Sequence, residues 1–142
     1  MSIEIAFKAV CDILRAKIKD EVILGRPDDK FPGVYVWPWR LWEDPQVKNI
    51  LPPKVGTISS PKFTSFFNVK FIIFISPALT NGGLSKLIEA RQALEDNPVI
   101  KVAEFTARID IDNLSDESLS EIFSAAGIPL TICLNAVLRY HA

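Results

Sequence analysis

Ile3, Phe7, Val10, Leu14 and Ile18 recur at three- and four-residue steps near the start of the chain. Ala6 and Ile13 widen that stripe, while Lys8, Asp12, Arg15 and Lys19 fall on the opposite side. This spacing predicts an amphipathic helix with Ser2 as its N-cap and Gly25 as its stop. Arg26-Pro27-Asp28-Asp29-Lys30 reads as a turn. Pro32-Gly33 then opens the run Val34-Tyr35-Val36-Trp37, whose β-branched and aromatic residues predict a strand that Pro38 ends or confines to a sheet edge.

Phe66 to Ser76 is the strongest strand pattern. Phe67, Val69, Phe71, Ile73 and Ile75 line one face, and Phe66, Ile72 and Phe74 the other, as in a central strand covered on both sides. Asn81-Gly82-Gly83 leads into a helix with the apolar stripe Leu84, Leu87, Ile88 and Leu94, which stops near Asn97-Pro98. Ala103, Phe105, Ala107, Ile109 and Ile111 alternate with Glu104, Thr106, Arg108, Asp110 and Asp112, a half-buried strand. A short helix follows, with Ser115 as N-cap, Asp116 and Glu117 in its first turn, a Leu114–Leu119 staple, and Gly127 and Pro129 as terminators. Leu130, Ile132, Leu134, Ala136, Leu138 and Tyr140 then alternate with Thr131, Cys133, Asn135 and Arg139 in a last strand.

These elements predict one α+β domain over residues 1–142. Its single-layer, mixed and mainly antiparallel sheet has four to five strands and is packed by about three helices. The stretch from about residue 38 to 62 does not fit that frame. It holds Pro38, Pro45, Pro52, Pro53 and Pro61, the aromatic residues Trp39 and Trp42, and the apolar Leu41, Val47, Ile50, Leu51, Val55 and Ile58. A connection this long is usually functional or disordered, and its apolar content argues against disorder. The expectation is a long projecting arm or β-ribbon that packs partly outside its own subunit.

Composition removes function classes. The 142 residues carry 16 basic and 17 acidic side chains, so the net charge of −1 argues against a nucleic-acid-binding face. The arm adds only a slight positive balance, with Arg40, Lys48, Lys54 and Lys62 against Glu43 and Asp44. His141 is the one histidine, which rules out His-rich metal sites and leaves Ser/His/Asp or Cys/His catalysis with a single candidate base. Cys11 and Cys133 lie in helix and strand patterns without a CxxC spacing, and read as small buried apolar residues. Asn81-Gly82-Gly83 lacks the fuller phosphate-cradling patterns and reads as a helix-entry turn. Asp110, Asp112, Asp116 and Glu117 lack the glycine and distal Glu of an EF-hand loop. The expectation is a protein with no catalytic residues, no cofactor and no metal. Glu4, Lys8 and Asp12 interrupt the first segment and Phe71–Ile75 is the longest apolar run, so neither a signal peptide nor a membrane span is expected. An intracellular, reducing origin follows as the default.

Trp37, Trp39, Arg40 and Trp42 are of the residue types most enriched at interface hot spots. With Val47, Ile50, Leu51 and Lys54 they form the candidate subunit or partner interface. A Trp-rich satellite core closing over one end of the sheet is the alternative for some of these tryptophans.

The order of elements resembles the tail-terminator proteins of contractile phage tails and related phage-tail-like injection systems. The similarity is sharpest over Leu114-Ser115-Asp116-Glu117-Ser118-Leu119-Ser120-Glu121-Ile122-Phe123-Ser124 and then Gly127-Ile128-Pro129-Leu130-Thr131-Ile132-Cys133-Leu134. There the family has a Leu-Ser-x-Glu-like helix start, a small-residue stop and a Pro-led terminal strand. Pro32-Gly33-Val34-Tyr35, Phe71–Ile75 and the Leu87-Ile88-Glu89-Ala90-Arg91-Gln92-Ala93-Leu94 helix before Asn97-Pro98 fit in order, and the arm from Trp39 to Lys62 fits least. The resemblance implies a non-enzymatic ring of six copies that caps tail tube and sheath, ends their polymerisation and joins the tail to the neck. Its implied partners are further copies of itself, tube and sheath proteins, and neck or connector proteins, with no sequence-specific nucleic-acid binding and no membrane. Its implied location is a virion tail or neck assembled in the host cytoplasm, or the cap of an injection particle. The alternatives are a head–tail completion or connector subunit and, in another class, a small ligand-binding domain or enzyme with a Trp-rich lid.

Overall fold

A computed structural model describes residues 2–43, 66–77, 83–102, 105–112, 116–128 and 133–141. The elements are α1 (Ser2–Ile18), β1 (Val22–Leu24), β2 (Val34–Glu43), β3 (Phe66–Ile75), α2 (Gly83–Asp96), β4 (Val99–Val102), β5 (Phe105–Asp112), α3 (Asp116–Ala126) and β6 (Cys133–His141). The strands form one curled, mixed sheet in the order β1-β2-β3-β6-β5-β4. Among the described residues only the β1–β2 pair is parallel. The α+β class and the three helices among the described residues are as expected, whereas the sheet there has six strands rather than four to five.

The first helix buries most of its predicted stripe, with Ala6, Phe7, Val10, Leu14 and Ile18 inside beside Cys11, and with Ile3 and Ile13 partly buried. It ends well before Gly25. Lys19 adopts a left-handed conformation (φ 63°) while its N–H still reaches the Arg15 carbonyl at 2.9 Å, which closes the last turn. The chain can then enter β1 at once. This strand has three residues, too few for a periodic signal, and residues 25–33 suffice to return the chain for a parallel pairing with Val34–Val36.

Trp37-Pro38 does not end the next strand. β2 continues to Glu43, with Pro38 opposite Phe71 and a register shift between Pro38 and Arg40 that leaves Trp39 as an extra residue. Because β1 reaches only Val36, Pro38 lies where β2 has a strand on one side only among the described residues, so its missing N–H costs no ladder bond. The expected arm therefore begins as sheet. Residues 44–65, with Val47, Ile50, Leu51 and Lys54, lie outside the described residues.

α1 and α2 cover one face of the sheet, over Val34, Val36, Val69, Phe71, Ile73, Ile75, Ile109, Ala136 and Leu138. The predicted stripe of α2 holds at Leu87 and Leu94 and fails at Leu84 and Ile88. Leu87, Ala90, Ala93 and Leu94 point inward, while Leu84 and Ile88 are exposed. The alanines set this rotation, since small side chains let α2 approach α1 closely, where Ala6 is also buried. The strand read from Ala103 onward is the second arm of a hairpin: β4 pairs with β5 in the register Val102↔Phe105, and no Gly or Asn marks the turn.

The last helix ends as its sequence predicts. Gly127 takes φ +77°, its N–H donates to the Ser124 carbonyl at 3.1 Å, and the Ile128 N–H donates to the Phe123 carbonyl at 3.2 Å. Those two bonds with buried Phe123 and Ile128 side chains make a Schellman stop, and a left-handed conformation there is cheap only for glycine. Arg26 completes it: Nη2 and Nε donate to the Ala126 carbonyl at 2.7 and 3.2 Å, placing a cation at the negative end of α3. The expected N-cap Ser115, the staple residue Leu114 and Pro129 lie outside the described residues.

Candidate interface surfaces

The second face of the sheet divides into an apolar half and a polar half. Alternation along β2, β3 and β6 places Tyr35, Trp37, Ile72, Phe74 and Cys133 on it, and α3 seals these with Phe123, Ala126 and Ile128. Phe74 is the hub, 5.7 Å from the Phe123 ring and 6.2 Å from the Tyr35 ring. Tyr35 Oη donates to the Phe31 carbonyl at 3.2 Å. Trp37 and Trp39 pack, half-buried, against this same cluster. The satellite-core alternative thus accounts for packing at both of these tryptophans. Arg40 is exposed, and Trp42 stands opposite Asn68 in the ladder.

Beyond the reach of α3 the same face turns polar. Arg139 Nε donates to Asp110 Oδ2 at 2.8 Å and its Nη1 to Asn68 Oδ1 at 3.3 Å. Arg108 Nε approaches Asp110 Oδ1 at 3.3 Å, and Lys70 Nζ lies 3.9 Å from Asp112 and 5.9 Å from the centre of the Trp39 ring. Two polar atoms are buried here without a partner among the described residues, Trp39 Nε1 and Asn135 Oδ1. Asp110 and Asp112, weighed above as metal ligands, are engaged by cations. Among the described residues no group of three or more His, Cys, Asp or Glu side chains is placed to hold a metal. No described helix is long and apolar enough to cross a membrane.

Cys11 lies on the buried side of α1 and Cys133 on the opposite face of the sheet, both as free thiols. Burial pushes each thiol up to about 11, against a smaller pull from Arg15 on Cys11 and from the Asn135 hydrogen bond on Cys133. Burial, then Asp28 and Glu21, also raises the Tyr35 hydroxyl. A group with a raised folded pKa stabilises the fold below its unfolded pKa and loses that contribution as pH climbs through the folded value. Stability should therefore fall as pH rises from about 9 towards about 11. Urea midpoints at pH 8 and pH 10.5 should show the drop, and a Cys11→Ala/Cys133→Ala variant should show a shallower one. An equal slope in both proteins would assign the drop to other groups.

A shallow groove on the outer side of α3, lined by Glu117, Ser120, Glu121, Ser124 and Ala125, has a volume of about 570 Å³. It faces away from the tryptophans, which pack on the inner side of that helix.

No protein-family model matches the chain, and no curated protein sequence matches it. Solved structures do. A sheath/tube terminator of the extracellular contractile injection system PVC, in its extended state, superimposes with a TM-score of 0.74 at 16% identity over 96% of this chain and 54% of its own. The tube-terminating cap of the anti-feeding prophage gives 0.71 at 16% identity over 96% and 53%. This chain thus has the fold of those caps while spanning about half of their length.

Proposed function

We propose that this protein is a structural terminator: copies of the chain form a ring that caps the end of a contractile tail tube and its sheath and stops their growth. The observation that carries the reading is that 96% of the chain superimposes on two caps of contractile injection particles. Those neighbours are structural tail parts, which favours a non-enzymatic role. A lid over a ligand pocket is less well supported, because Trp37 and Trp39 pack into a core cluster instead of roofing a cavity. In this reading residues 44–65 and the end of β2 at Arg40 and Trp42 meet neighbouring copies, tube or sheath. Assembly in the host cytoplasm and a place at the tail end or neck belong to the same proposal.

The test is to polymerise a contractile-tail tube protein, with and without the purified protein, and image the products. Capped tubes of limited length, with extra density at one end, are expected. Tubes that grow unchanged and carry no end density would overturn the reading.

A further inference from the structure

The face of the sheet that carries α3 holds two surfaces of opposite charge. Past the reach of α3, Arg108 on β5 and Arg139 on β6 stand directly opposite each other in the ladder. Like charges in that position repel. Asp110 accepts from both guanidiniums, at 3.3 and 2.8 Å, and so cancels one of the two charges. Lys101 on β4, opposite Thr106, adds a third cation to the same face and makes no ion pair among the described residues. Three cations thus share one carboxylate. The Arg108 and Arg139 side chains are 67% and 41% exposed, which leaves the excess charge open to a partner.

The outer side of α3 is the complement. Glu117 and Glu121 lie one turn apart in the shallow groove there, both exposed, and neither makes an ion pair among the described residues. Two carboxylates at i and i+4 repel each other along a helix. Only Glu117 stands in the first turn, where the helix dipole favours a negative charge.

We infer that two copies of this chain pair face to face, the outer side of each α3 seated on the Arg108–Arg139 surface of the other. The pairing goes beyond the terminator reading and does not depend on it. Both surfaces lie on the same face of the sheet, so a two-fold rotation that seats one helix seats the other as well. The contact is therefore isologous.

Dimensions agree with this arrangement. α3 packs over Ile72 and Phe74 of β3, and β5 lies two strands away in the order β3-β6-β5. Two strand spacings are about 10 Å, the width of one helix with its side chains. The two helices then lie side by side between two sheets, each filling the half that α3 of the other chain leaves bare. Glu117 and Glu121 are ~6 Å apart along the helix axis, and directly opposite residues of antiparallel strands are about 5 Å apart. Two carboxylates meet two guanidiniums at matched spacing, and two uncompensated positive charges meet two negative ones. A nucleic-acid strand fits less well, because the chain as a whole carries a net charge of −1.

Charge reversal tests the pairing. One variant carries Glu117→Lys and Glu121→Lys, the other Lys101→Glu and Arg108→Glu; all four side chains are exposed, and circular dichroism checks both folds. Exposed ion pairs are weak, so the pair forms at micromolar and not at nanomolar concentration. In sedimentation velocity at micromolar concentration, the full chain should show twice the mass at about 0.03 M salt that it shows at about 0.5 M, because salt screens exposed charges. The doubling applies to single chains and to rings alike. Each variant alone should weaken the pairing by about tenfold or more, since like charges then meet. An equimolar mixture of the two should restore it, because reversed helices then seat on reversed sheets and native helices on native sheets. A variant that had lost its fold could not do so. No doubling in the unsubstituted chain, doubling that survives either reversal, or a mixture that stays unpaired would each overturn the inference. An unpaired chain that binds a single-stranded oligonucleotide, and loses it with Lys101→Glu and Arg108→Glu, would give this face to a polyanion and overturn it too. Tube capping is a separate measurement that none of these results decides.

Discussion

Replacing Phe71 with alanine should lower the folding free energy by about 3–5 kcal/mol, the range for deleting a fully buried aromatic ring. The side chain is 0% exposed and sits in β3, the third of six strands, opposite Pro38 on one side and Ala136 on the other. Its ring meets the Phe7 ring edge-on, at 5.3 Å between centroids and 87° between planes. That contact joins α1 to the middle of the sheet, and Val10 and Leu14 follow it along the same buried stripe. Neither neighbour can move in to fill the hole, because the ladder holds β3 on both sides. A domain of this size has about 5–15 kcal/mol in total, so the variant would be close to unfolding at 37 °C. Urea unfolding followed by far-UV circular dichroism measures the loss. Ile88→Ala, on the exposed side of α2, should stay within about 0.5 kcal/mol and serves as the control. A loss below 1 kcal/mol at Phe71 would mean that α1 does not pack on the sheet centre.

Phe71 was legible in the sequence because β3 is apolar on both faces, a pattern that fits no exposed element. The Schellman stop at Gly127 was legible for a similar reason: one residue type satisfies the required φ. Other features had no local signal. Val22–Leu24 is shorter than any period, and the β4–β5 turn lacks the residues that announce a tight hairpin. Half of the α2 stripe, at Leu84 and Ile88, was misread because these outrank Ala90 and Ala93 in hydrophobicity, while close packing against α1 favours the alanines. Lys19 ends α1 in a conformation that sequence reading reserves for glycine or asparagine. At the candidate interface, composition singled out the tryptophans, but it could not show that Trp37 and Trp39 pack inward. Their packing depends on α3, which covers both from far along the chain.

Excising residues 46–62 should abolish ring assembly and end-capping while leaving the fold intact. The geometry of the cut makes both halves of the outcome readable. Glu43 stands opposite Phe67 in the β2–β3 ladder, so the described strands on either side of the excised segment run side by side there and a short Gly/Ser linker can connect them. The β2–β3 pairing, the Phe7–Phe71 contact and the α3 cluster all lie on the retained side of the cut. Closing a shorter loop also costs less chain entropy, so the thermal midpoint should hold or rise slightly. The removed segment is rich in proline, which limits the freedom it would lose on docking, and carries Val47, Ile50, Leu51, Val55 and Ile58. Roughly 20 residues that leave and re-enter at one point reach about 30 Å beyond the sheet at ~3.3 Å per residue, enough to cross onto a neighbouring subunit. Mass photometry of the shortened chain should show monomers, and tube growth in its presence should match growth without it. Intact rings that cap tubes would remove the arm from the assembly. A shortened chain that forms rings but no longer caps would place the arm on tube or sheath instead of between subunits.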